Sequence, residues 1–96
     1  MGYERLKKSL IDLVKEEQAK LGYRKEMIRL YYPLSSLNHF MEADAAPEEM
    51  QELLKDFPEA AEDIFGEVGI THAKDRFCFA LSEKASEYVH ENMKQN

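Results

Sequence analysis

The chain has 96 residues, of which 44% are hydrophobic and 33% charged. That length and balance suit one hydrophobic core and exclude both a disordered segment and a pair of domains. A single cysteine excludes an internal disulfide and a paired-cysteine zinc site, so a reducing compartment, the cytoplasm, is the expected home. The net charge of −6 is unevenly spread: residues 1–32 hold eight basic and five acidic side chains, the remainder five and fourteen.

The opening Met1-Gly2-Tyr3-Glu4-Arg5 runs straight into a charged amphipathic stretch, without the apolar region of a signal peptide or a membrane span. Gly2 lacks the Ser or Thr that a myristoylation site needs where Leu6 stands. From Tyr3 to Leu21 the apolar residues Tyr3, Leu6, Leu10, Leu13, Val14 and Leu21 recur every three or four positions, which predicts an amphipathic helix. Gly22 is placed to end it in the left-handed conformation.

Glu26 to Tyr32 alternates, with Ile28, Leu30 and Tyr32 on one side and Met27, Arg29 and Tyr31 on the other, and predicts a short strand. Pro33 keeps Tyr32 extended and opens a helix to about Met41 that buries Leu34, Leu37, Phe40 and Met41. After a turn at Asp44-Ala45-Ala46, Pro47 starts a helix to Phe57 with Glu48 and Glu49 at its positive end and Met50, Leu53, Leu54 and Phe57 as its apolar face. Pro58 interrupts, and Glu59 to Phe65 reads as loosely helical.

Val68, Ile70 and His72 alternate, Ala73-Lys74-Asp75-Arg76 turns, and Phe77, Phe79 and Leu81 alternate on the return, which together predict a β-hairpin. Ser82 caps a last helix with Ala85, Tyr88, Val89 and Met93 on one face. Helix, strand, two helices, hairpin and helix predict an α+β, winged-helix-like domain over residues 1–96, its three strands joined in one small antiparallel sheet.

The stretches Leu21-Gly22-Tyr23-Arg24, Arg29-Leu30-Tyr31-Tyr32-Pro33-Leu34-Ser35-Ser36-Leu37-Asn38, Asp75-Arg76-Phe77-Cys78-Phe79 and Glu87-Tyr88-Val89-His90-Glu91 together resemble an uncharacterised bacterial family, a domain of unknown function. The resemblance covers most of the chain and implies no activity, cofactor or catalytic residue. Family members look longer, and Met93-Lys94-Gln95-Asn96 ends on an open helix, so an N-terminal portion of a larger protein is the expectation.

A winged helix invites a DNA-binding reading, because the second helix of its helix-turn-helix enters the major groove. Here that helix carries Glu48, Glu49, Glu52 and Asp56 against Lys55 and Gln51, the wrong sign for phosphate, which leaves only the basic first helix with Lys74 and Arg76 to approach DNA. Glu87 and His90 have the spacing of half a di-metal helix motif, but one copy is no metal site. His39 reads as a partly exposed structural residue. Cys78 with His72 across the hairpin forms a nucleophile and base on paper, although a cysteine between Phe77 and Phe79 more often packs as a small hydrophobe. Phosphate loops, nucleophile elbows and paired-histidine zinc motifs are absent, so neither enzyme chemistry nor a cofactor is expected.

Among Tyr23, Tyr31, Tyr32 and Phe40 the alternation turns Tyr31 outward beside Arg29, a pairing favoured at interfaces. The expected role is that of a non-catalytic protein-interaction module. The candidate contact residues are Arg29, Tyr31, Glu48, Glu49, Glu52, Lys74 and Arg76, and the basic first helix of one copy could meet the acidic 47–67 region of another. The expected partner is a protein, a second copy or the remainder of a longer chain, with a regulator-like DNA-binding domain as the alternative and no membrane contact.

Overall fold

The computed structural model describes residues 3–93, the last of them by its backbone alone, so the expectations for Gly2, the Met93 side chain and 94–96 lie outside the described residues. The elements in chain order are α1 (Glu4–Leu21), β1 (Ile28–Pro33), α2 (Leu34–Met41), α3 (Pro47–Leu53), α4 (Phe57–Ala60), α5 (Glu62–Phe65), β2 (Val68–Ala73), β3 (Arg76–Leu81) and α6 (Glu83–Met93). The fold is therefore α+β, and its element order is compatible with the winged-helix arrangement.

The three strands form one antiparallel sheet in the order β1-β3-β2. Because side chains alternate along a strand, the register sorts them cleanly onto two faces. Ile28, Leu30 and Tyr32 align with Leu81, Phe79 and Phe77, which align in turn with Val68, Ile70 and His72. This inner face meets Leu6, Leu10 and Val14 of α1, Leu37, Met50, Leu54, Phe57 and Phe65, and Ala85 and Val89 of α6, in one buried cluster. Aromatic edges organise it: the Tyr32 ring stands at 85° to both Phe40 and Phe79, with centroids 5.6 Å apart in each pair, and Phe57 meets Phe79 at 90°.

Several boundaries differ from the pattern in the sequence. Leu21 lies exposed at the end of α1, and Gly22 leaves the helix with φ 85° and ψ 168°, an extended positive-φ conformation reserved for glycine rather than the left-handed cap. The predicted helix from Pro47 to Phe57 stops at Leu53. Its chain turns through residues 54–56, and Pro58 sits in the first turn of the next helical segment, where its missing N–H costs nothing. That break exposes Leu53, which the helical period had assigned to the apolar face, while Met50, Leu54 and Phe57 are buried.

The loop after α2 is held by a side chain: Asn38 accepts the Ala45 N–H at 2.9 Å and donates to the Ala45 carbonyl at 3.1 Å. At the start of α6, the Ser82 hydroxyl accepts the Lys84 N–H and donates to the Phe65 carbonyl at 2.7 Å, so one cap joins the helix to α5. No helix among the described residues is long and apolar enough to cross a membrane.

Candidate interaction face on the open side of the sheet

All the side chains that the strands do not send inward meet on the second face. Arg29, Tyr31 and Pro33 of β1 align with Ala80, Cys78 and Arg76 of β3, and these with Gly69, Thr71 and Ala73 of β2. Seven of these nine are exposed, and Cys78 and Ala80 in the central strand are half-buried. The side chains in the middle of the face are small, so a partner backbone can approach it closely.

Tyr31 is half exposed, at 50%, and the Arg76 guanidinium lies 4.7 Å above the centre of its ring. This stacking orients the guanidinium and leaves its hydrogen-bond donors free for an acceptor from outside. Tyr31 and Arg76 line one depression with Thr71, His72, Ala73 and Cys78. Lys74 lies beside it in the two-residue hairpin turn, at a positive φ of 59°. Pro33 ends β1, and the Leu34 N–H bonds the Asp75 carbonyl at 2.7 Å, which ties the turn to the start of α2.

Of the candidate residues, Tyr31 and Arg76 touch, Arg29 shares their face two positions along β1, and Lys74 lies in the turn beyond the strand ends. Tyr31 and Arg29 share the outward side of β1, and the arginine stacked on the Tyr31 ring is Arg76 from the adjacent strand. Only strand register puts it there. The ion pairs of the described residues engage Arg5, Lys8, Lys25 and Lys55.

The acidic candidates lie elsewhere, and two of them have structural work. Glu49 accepts the Ala46 N–H at 2.8 Å, the glutamate's half of a capping box, and Glu52 pairs with Lys55 at 2.9 Å. Glu52 is the main cause of the raised Lys55 pKa. Glu48 is exposed on the same helix, and Glu59, Glu62 and Asp63 are exposed on α4 and α5.

The nucleophile and base pair and the half metal motif of the sequence both engage other neighbours. Cys78 and His72 border the same depression, but by strand parity the His72 ring aligns with Phe77 and stacks on it at 4.8 Å, and its Nδ1 lies 3.2 Å from the Lys74 carbonyl. Cys78 is also not packed between two phenylalanines, since Phe77 and Phe79 both point inward. Glu87 and His90 serve the segment after α1 instead. Glu87 pairs with Lys25 at 2.9 Å, which raises the Lys25 pKa, and the His90 ring stacks on Tyr23 at 3.9 Å. Among the described residues no group of three or more His, Cys, Asp or Glu could hold a metal ion. His39 is exposed, and its carbonyl accepts a long hydrogen bond from Arg5.

In comparison with known proteins, a family model described as "Domain of unknown function, E. rectale Gene description (DUF3877)" matches residues 3–96. No curated protein and no solved structure matches the chain.

Proposed function

The chain belongs to the DUF3877 family, whose function is unknown, and we propose that it is a non-catalytic module that holds an acidic segment of a protein partner against the open face of its sheet. The observation that carries this reading is the stacked Arg76–Tyr31 pair on that face, flanked by Arg29 and Lys74. A preoriented guanidinium on a rigid tyrosine offers carboxylates a bidentate contact at little entropic cost, and Tyr and Arg are the side chains most often found as interface anchors. The small residues between them admit an approaching backbone, and two arginines on one face of an acidic protein, with Lys74 in the adjoining turn, favour an acidic ligand.

Two features weigh against other readings. The helix that would enter a DNA groove exposes Glu48, Glu49 and Glu52, so its field repels phosphate. His72 and His90, the histidines of the two candidate arrangements, engage other neighbours.

Site-directed photocrosslinking in the native host tests the proposal. A photoreactive phenylalanine analogue at Tyr31 is expected to trap a protein that the same analogue at Glu16 on α1 does not, and replacing both Arg29 and Arg76 by Glu should abolish the adduct. Identical adducts at the two positions, or an adduct indifferent to the arginines, would overturn it.

A further inference from the structure

Resting on that reading, we infer that the acidic segment is supplied by a second copy of this chain, through the ridge formed by Glu59, Glu62 and Asp63. These three are exposed on the consecutive short segments α4 and α5, as is the small Ala60 between the first and second of them. None takes part in the ion pairs of the described residues, whereas Glu49 and Glu52 on α3 are occupied locally. The three carboxylates thus form no ion pair among the described residues, and neither do Arg29 and Arg76 on the open face or Lys74 in the adjoining turn. Each copy carries both halves of a complementary contact.

Area decides how strong that contact is. With strands about 4.8 Å apart and same-face residues about 6.8 Å apart, nine positions span roughly 300 Å² in plan. A stable interface takes about 800 Å² from each partner. Self-association through this face is therefore weak and dominated by charge, and it falls as salt screens the pairs.

Sedimentation equilibrium of the full chain tests this at low and moderate salt. The wild type is expected to self-associate at low salt and to lose that association as salt rises. Arg29→Glu with Arg76→Glu should weaken it by about fivefold or more, and so should Glu59→Lys with Glu62→Lys and Asp63→Lys. Mixing the two variants should restore association, because the reversed face then meets a reversed ridge. A control carrying Glu16→Lys and Glu17→Lys on α1 should associate like the wild type. All the altered side chains are exposed, and circular dichroism establishes that each variant is folded.

A wild type that stays monomeric at low salt overturns the inference, as does association unchanged in both charge-reversed variants. In either case a Tyr31 adduct to a different protein would leave the proposed function standing, so the two claims fail separately.

Discussion

Tyr32 carries a hydroxyl to the inner side of β1, where it meets Ser9 of α1 at 2.7 Å. Burial is the main reason its pKa is raised; the Ser9 hydrogen bond acts in the opposite direction, and Asp12 adds to the rise. In the unfolded chain a tyrosine ionises near pH 10. The folded protein holds the proton to higher pH, so the stability associated with this group is fully present below about pH 10 and is lost as pH rises through the folded value. Tyr32→Phe is expected to reduce stability by about 1 kcal/mol at neutral pH, from the lost hydrogen bond, and to flatten the decline above pH 10. Thermal unfolding followed by circular dichroism between pH 7 and 11 measures both effects. Tyr3, also raised by burial and then by Asp56, sustains part of the slope in the variant. The inward direction of Tyr32 was legible in the alternation of β1, but its bond to Ser9 was not, because 23 residues separate the two and no local pattern joins them.

At the scale of elements, the junction between α5 and β2 depends on Gly66, which adopts φ 69° and ψ −139°. A side chain here would be strained by the backbone, and its Cβ would collide with the Ser82 hydroxyl that caps α6. Gly66→Ala should destabilise the protein by about 2 kcal/mol or more, read as the shift in a urea unfolding midpoint. An effect within a few tenths of a kcal/mol would show that the junction relaxes freely. Every strand and every long helix announced itself through periodicity, because apolar spacing reports directly which face is buried. Boundaries were harder where short-range order competes with burial. The break after Leu53 follows from packing Leu54 and Phe57 into the core beside a proline, and it left Leu53 outside. Glu42 ends α2 in the left-handed conformation, φ 52°, without the glycine that would have marked the turn.

The whole molecule has a charge layout that bears on its partners. The cations on the open sheet face are too few, and the exposed carboxylates on α3 to α5 too many, for sequence-independent binding to duplex nucleic acid. No electrophoretic shift of random duplex is expected at low salt with protein on the order of 10–100 µM, the range where non-specific binders register. A shift abolished by Arg29→Glu with Arg76→Glu would instead assign the open face to phosphate.

Hydrophobic period and turn residues are local quantities, and by themselves they determined the α+β class, the order of elements, the hairpin and the direction of Tyr31. The acidic character of the 47–67 segment was equally plain, since charge is read residue by residue. Tertiary structure decided which side chains became neighbours. Strand order β1-β3-β2 set Arg76 over Tyr31, parity aligned His72 with Phe77 rather than Cys78, and docking of residues 22–27 on α6 engaged Glu87 and His90. The physical reason is that register and docking follow from burying one common core, so they depend on the whole chain at once rather than on any stretch of it.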